Sequence, residues 1–499
     1  MVKRAQKSPL IAIALDRNLE TPLQIQAFDQ IRDAILQGRL APGSRLPSSR
    51  VLAVELGVSR NTILAAYDRL YGEGYVEGRT GSGTRVSRVL PEDLLTARNR
   101  SAAAAEPSGT AGKVSGLVRR LGRRARRRTD IPARAFRPGV PDLEYFPFKT
   151  WGRLNAKFWR RPPTNLLVAG DLAGYQPLRD AISAYLGAVR GVSCSGDQVM
   201  ITAGAQQGLD LIARTLIDPG DRVWVEDPGY AGLRGAFTAA GAGLVDVPVD
   251  GEGLSVKSGR TTAPDAVLAA VTPSHQYPMG VTMTLGRRLE LLDWARESGA
   301  WILEDDYDSE FRYSGKPLSA LQGLDDGSRV IYAGTFSKVL FPALRLGYLV
   351  LPQALIDPFL KVRAALDDQP SIAMQPVLAQ FIEDGQFAAH IRRMRALYEE
   401  RQEALIRTIR VDAEGLLKAR PSEAGMHLVA ARGPRCPFDD QTASACLAND
   451  GVIALALSRF YARTATRQGL ILGYSGFTED EMTAAMRKAA AVLRRSTPS

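Results

Sequence analysis

The chain has 499 residues, 45% of them apolar and 23% charged, and a formal net charge of +11. That length implies more than one domain, and the apolar share excludes a wholly disordered chain. No run of about 18 apolar residues occurs, the first ten residues are polar and basic, and Cys194, Cys436 and Cys446 have neither metal nor redox spacing. The expectation is a cytoplasmic protein with no bilayer span and no secretory leader.

The excess charge is confined to one end. Residues 1–90 are net +5, residues 91–130 net +6, and residues 131–499 net zero. A basic tail without a partner is one explanation. Confinement to one end favours an acidic partner there, with nucleic acid first among candidates.

In chain order, residues 20–88 read as a small domain. Ile25, Phe28, Ile31 and Ile35 have helical spacing, with Gly38 just past the end. After the turn Leu40-Ala41-Pro42-Gly43, Ser48 or Ser49 caps a second helix carrying Val51, Leu52, Val54 and Leu56. Gly57-Val58 breaks it. Ser59 caps a third helix, to about Glu73, with Ile63, Leu64, Ala66, Tyr67 and Leu70 on one face. Tyr75-Val76-Glu77 and Thr84-Arg85-Val86 are short strands around the glycine-rich tip 78–83.

This is the order of a winged helix-turn-helix, whose third helix enters the major groove. Its first turn, Ser59-Arg60-Asn61-Thr62, supplies a guanidinium, an amide and two hydroxyls, groups suited to base edges and phosphates. An ordinary capped helix start would carry the same residues. The charge asymmetry and the wing tip the balance towards DNA.

Residues 89–134 read as a flexible basic linker, with Ala102–Ala105 and an arginine-rich run from Arg119 to Arg128. Residues 135–495 then alternate short apolar runs with helical segments. Val199–Thr202, Arg222–Glu226, Ala266–Thr272, Ala300–Glu304, Val330–Ala333 and Leu346–Leu351 are the predicted strands. The fold class is α/β, a mainly parallel sheet with helices on both faces.

Four segments in this region suit one chemistry. A lysine that forms a Schiff base with an aldehyde cofactor needs phosphate anchors, an acid at the pyridine nitrogen and a ring-stacking group. Thr335-Phe336-Ser337-Lys338, with Arg345 beyond, offers amine, hydroxyls and cation. Glu304-Asp305-Asp306-Tyr307 ends a strand in acids and a phenol, where ligands sit in such sheets. A hard cation is the competing ligand for the run Glu304-Asp305-Asp306-Tyr307-Asp308, without EF-hand spacing or a second carboxylate cluster to support it. Gly204-Ala205-Gln206 opens a helix whose N–H groups suit phosphate. Tyr230, after Glu226-Asp227-Pro228-Gly229, offers a ring face.

The segments Thr21-Pro22-Leu23, Gly38–Arg50, Leu56–Thr62 and Gly81–Thr84 resemble the DNA-binding domain of GntR-type bacterial repressors. That resemblance implies DNA contacts by Arg50, Ser59, Arg60, Asn61, Thr62, Gly81 and Ser82. The later segments resemble fold type I pyridoxal-phosphate enzymes of the aspartate aminotransferase group. Together the two parts resemble the MocR subfamily of GntR regulators.

The resemblance implies pyridoxal 5'-phosphate as cofactor and no metal. Lys338 is then the Schiff-base lysine, Asp305 the partner of the pyridine nitrogen, Tyr307 a contact to the phenolic oxygen, and Tyr230 the stacking ring. Gly204, Ala205, Gln206, Thr335, Ser337 and Arg345 hold the phosphate, and His275 and Gln276 lie near the phenolic oxygen. It also implies a homodimer on double-stranded operator DNA, with an amine or amino acid as effector.

Two positions depart from the pattern. Ala169-Gly170-Asp171 stands where the family often has Tyr-Gly-Asp. Leu470-Ile471-Leu472-Gly473 offers no arginine for a substrate carboxylate, although Arg459, Arg463 and Arg467 lie nearby. A regulator that senses the cofactor or its amine is therefore favoured over a working aminotransferase with a DNA-binding domain.

Overall fold

In the computed structural model, residues 13–79, 83–90, 115–121, 135–314 and 319–494 are described. The chain divides into two units, Met1–Lys113 and Val114–Ser499.

In the first unit, helix α1 (Leu23–Leu36) buries Phe28, Ile31 and Ile35. Helix α2 (Ser49–Glu55) starts at Ser48, whose hydroxyl accepts from the Val51 N–H at 3.3 Å. Helix α3 (Arg60–Gly72) starts at Ser59, which accepts from the Thr62 N–H at 3.1 Å. Ile63, Ala66, Tyr67 and Leu70 bury its inner face. The second helix departs from expectation. Leu52 and Ala53 face the core, whereas Val51 and Val54 are exposed, because a seven-residue helix buries only one narrow stripe. Strands β1 (Val76–Arg79) and β2 (Gly83–Val86) pair antiparallel to form the wing.

The second unit holds an eight-stranded and a four-stranded sheet. The large sheet contains β3 (Val199–Thr202), β4 (Arg222–Asp227), β5 (Gly243–Asp250), β6 (Gly253–Leu254), β7 (Leu268–Val271), β8 (Trp301–Asp306), β9 (Val330–Thr335) and β10 (Gly347–Val350). Their order is β3-β10-β9-β8-β7-β4-β5-β6. The run from β9 to β5 is parallel, and β10 is antiparallel to both neighbours. Strands such as β3, β7 and β9 are buried along their whole length, as near-continuous apolar runs covered on both faces must be. Trp224 and Trp294 stack at 3.8 Å between sheet and helix.

The small sheet contains β11 (Leu417–Lys418), β12 (His427–Arg432), β13 (Leu455–Ala456) and β14 (Gly469–Gly473), all antiparallel in the order β11-β12-β14-β13. Within the stretch read as linker, Gly116–Leu121 is helical and lies against the helix Ala231–Ala240.

Candidate functional site

The parallel strands all deliver their C-terminal ends to one edge of the large sheet, and antiparallel β10 brings its start there too. Thr202, Asp227, Val271, Asp306 and Thr335 end their strands on this edge, and Arg345 immediately precedes β10. Residues more than a hundred positions apart therefore meet.

Extended backbone sorts the acids of β8 onto opposite faces. Glu304 accepts the Leu321 and Gln322 N–H groups, each at 2.9 Å. Asp306 pairs with Arg190 at 2.9 Å and accepts from the Tyr332 hydroxyl at 2.6 Å. Asp305 points the other way. It is buried, and no group among the described residues hydrogen-bonds its carboxylate. Burial, then the charges of Asp306, Glu226 and Asp308, push it up to about 7, against the pull of Lys338. The acids thus diverge, and the cation cage considered for this run does not form.

Lys338 follows β9 and is half-buried. Its Nζ donates to the Gly139 carbonyl at 2.9 Å. A Cβ at Gly139 would lie 2.5 Å from that Nζ, so the amine would have to shift, and the φ of +70° favours glycine there. This neighbour has no signal in local spacing, since it lies 199 residues away.

Residues that would form a cup for an anion meet on the same edge of the sheet. Gly204 (φ +88°) precedes the helix Ala205–Leu216, whose first N–H groups have no side-chain cap. A Cβ at Gly204 would come within 3.3 Å of the Arg345 guanidinium. Arg345 is exposed and itself left-handed, at φ +52°. The Thr335 hydroxyl accepts from the Ser337 N–H at 3.2 Å. The Gln206 side chain turns away to the Gly232 carbonyl, at 3.0 Å, so its backbone is what it offers the cup.

Tyr230 caps the helix Ala231–Ala240, with its ring edge-on to Tyr277 at 6.0 Å. Tyr307 is half-buried, and its hydroxyl is 3.0 Å from His275 Nδ1. Burial, with Asp308 next, holds that phenol well above its usual range. Gln276, expected beside the phenolic oxygen, is engaged by protein groups. Its amide donates to Glu226 and to the Pro228 and Tyr277 carbonyls, which commits it to bracing two loops. Glu226, raised to about 7 by burial, also accepts from the Thr272 N–H and hydroxyl. His427, from β12, lies with its ring 5.2 Å from that of His275 and is depressed to about 3 by burial.

Of the residues named for DNA contact, Ser59, Arg60, Asn61 and Thr62 stand at the start of α3, and Arg50 lies at the start of α2. Ser59 and Thr62 are partly spent on each other, with hydroxyls 2.8 Å apart. Arg50, Arg60 and Asn61 are exposed, and Arg60 Nε reaches Ser49 Oγ at 3.4 Å. Gly81 and Ser82 lie outside the described residues.

In this arrangement one unit presents two arginines and an amide to solvent from the starts of two successive helices. The other surrounds an amine with a buried acid, a phenol and an anion cup. Residues 23–86 match the gntR family of bacterial regulatory proteins, and residues 143–488 match the class I and II aminotransferases. The chain is 43% identical to a probable rhizopine catabolism regulatory protein, MocR, of Rhizobium meliloti, over 94% of this chain and 93% of that protein. It is 34% identical to the pyridoxine biosynthesis transcriptional regulator PdxR of Corynebacterium glutamicum, over 95% and 96%. Among solved structures it is similar to a kynurenine aminotransferase of Pyrococcus horikoshii, with a TM-score of 0.66 and 27% identity over 80% of this chain and 98% of that one.

Proposed function

This chain belongs to the MocR subfamily of GntR-type bacterial transcription regulators, and on that footing we propose that it senses pyridoxal 5'-phosphate, or an amine or amino acid reacting with it, and changes operator occupancy in response. It is a DNA-binding transcription regulator whose second unit has the aminotransferase fold. Residues 20–88 act on the operator, 89–134 connect, and 135–495 sense.

The observation that carries the cofactor assignment is Asp305, a buried carboxylate without a hydrogen-bond partner among the described residues, within electrostatic reach of Lys338. An acid so placed has its desolvation offset when it meets a protonated ring nitrogen. When bound, pyridoxal phosphate supplies an aldehyde that condenses with amines and a ring that withdraws electrons. Lys338 holds it through Nζ, Asp305 keeps its ring nitrogen protonated, and Tyr230 covers one ring face. Thr335, Ser337, Arg345 and the backbone of Gly204, Ala205 and Gln206 take the phosphate. Two copies act together on two half-sites, in the cytoplasm. Among the described residues no helix is long and apolar enough to cross a membrane.

Turnover as an aminotransferase is disfavoured because β14 carries no arginine for a substrate carboxylate. The decisive experiment is a footprint on the DNA upstream of the protein's own gene, with and without pyridoxal 5'-phosphate. A footprint that changes with cofactor is expected. An identical footprint with every cofactor and amine, together with steady release of keto acid, would establish the enzyme instead.

A further inference from the structure

His275 is joined to more groups than its place in the loop requires. Its Nδ1 lies 3.0 Å from both Asp308 Oδ2 and the Tyr307 hydroxyl oxygen, and its Nε2 lies 3.4 Å from Ser422 Oγ. His275 and Asp308 are 2% and 1% exposed. A proton count decides what these contacts require. Ser422 spends its own proton on the Ala424 carbonyl at 2.8 Å, so towards Nε2 it can only accept. Burial pushes the Asp308 carboxyl up and the His275 contact pulls it down; in its ionised form it also can only accept, from Nδ1. Both bonds are satisfied together only when both ring nitrogens carry protons. Tyr307 then faces an N–H, its oxygen serves as the second acceptor, and its own proton must point away from the imidazole.

The other groups around the ring agree with this assignment. His427 Nε2 bonds the Pro278 carbonyl at 3.2 Å, and Tyr277 stands edge-on to both Tyr307 and His427. Lys338, Asp305, Asp306 and Glu226 are the remaining charges nearby. His275, Asp308 and His427 bring ligand-capable atoms within 4.8 Å of one another. The contacts to Tyr307, Ser422 and Pro278 engage both His275 nitrogens and His427 Nε2.

We propose that His275, held by Asp308 and Ser422, is a positioning residue that aims the Tyr307 proton at the phenolic oxygen of bound pyridoxal phosphate and so sets the pH at which the lysine-bound cofactor ionises. This inference rests on the cofactor assignment above. Donation to the phenolic oxygen favours the state in which negative charge is concentrated there, so losing it raises the midpoint.

The test uses the full-length protein reconstituted with pyridoxal 5'-phosphate and follows the visible absorption band against pH. His275→Gln should raise the midpoint by about one to two pH units, the size of one lost hydrogen bond to a charged oxygen. Tyr307→Phe should raise it at least as far, and His275→Gln should add nothing in that background. His427→Gln should leave the midpoint in place. Ser422→Ala, at a half-buried position away from Tyr307, covers the case where His275→Gln does not fold, and should shift the midpoint the same way by less. A band with an unchanged midpoint in His275→Gln, or a shift that persists without the Tyr307 hydroxyl, overturns this inference alone. A wild-type protein with no visible band overturns the cofactor assignment and this inference with it.

Discussion

The two units solve recognition in opposite ways. The winged unit gathers Arg50, Arg60 and Asn61 within twelve residues and leaves them in solvent. The aminotransferase-like unit draws Gly139, Gly204, Tyr230, His275, Asp305 and Lys338 from strand ends and loops spread over about two hundred residues, burying three of them and half-burying the others. An operator is a large polyanion that arrives from outside, so exposed cations on two adjacent helix starts are sufficient. A small cofactor must be surrounded, and the desolvated groups that surround it shift in pKa, as Asp305 and Glu226 do. Substitutions should therefore act locally and modestly in the first unit, and strongly and non-locally in the second.

The largest expected effect is all-or-none. Lys338→Ala should abolish the visible band of the reconstituted protein while leaving operator binding by the winged unit measurable. A band that survives in Lys338→Ala would remove the lysine from its role.

Next come the neighbouring acids of β8, which should separate cleanly. Asp306→Ala removes the carboxylate that Arg190 pairs with in the core, and breaking a buried pair costs about 3–5 kcal/mol, so denaturation should reveal a much less stable protein. Asp305→Ala breaks no hydrogen bond, so it should leave stability nearly intact and weaken cofactor binding instead. Equal effects on both readouts from both variants would contradict the opposed faces.

The third expectation concerns Arg60. A bidentate contact to guanine is worth about 1–3 kcal/mol of discrimination, so Arg60→Ala should relax sequence preference in a binding-site selection. Uniform loss of affinity on all sequences, with a flatter salt slope, would make Arg60 a phosphate contact.

The smallest effect is a pH dependence in the cofactor-free protein. The folded pKa of Asp305 is raised to about 7, above that of the unfolded chain, so the folded state binds the extra proton. Stability from this group is present at low pH and lost as pH rises through about 7. Its slope is at most about 1.4 kcal/mol per pH unit. Asp305→Asn should flatten that part of the curve. Because Glu226 and Glu310 are also raised, the comparison is the difference between wild type and variant across the same pH range. A variant curve parallel to wild type would show that Asp305 is not desolvated.

What the sequence by itself determined is what depends on neighbours along the chain. The caps at Ser48 and Ser59, the buried stripe of α3, the two strands of the wing and six strands of the large sheet follow from spacing and turn chemistry within a few residues. So does the separation of Asp305 from Asp306, because alternation is a property of any extended segment.

Tertiary structure alone decided the rest, because it depends on distance through space. The antiparallel insertion of β10 brings Arg345 to the mouth of Gly204. The Gly139 carbonyl becomes the neighbour of Lys338. Gln276 spends its amide on Glu226 rather than on the site, since a buried amide must be satisfied by whichever acceptors the packed loops offer. His275 meets Asp308, Tyr307 and Ser422 only because loops after β7 and β8 and the approach to β12 end at one point, and no periodicity in one chain records where three loops will meet.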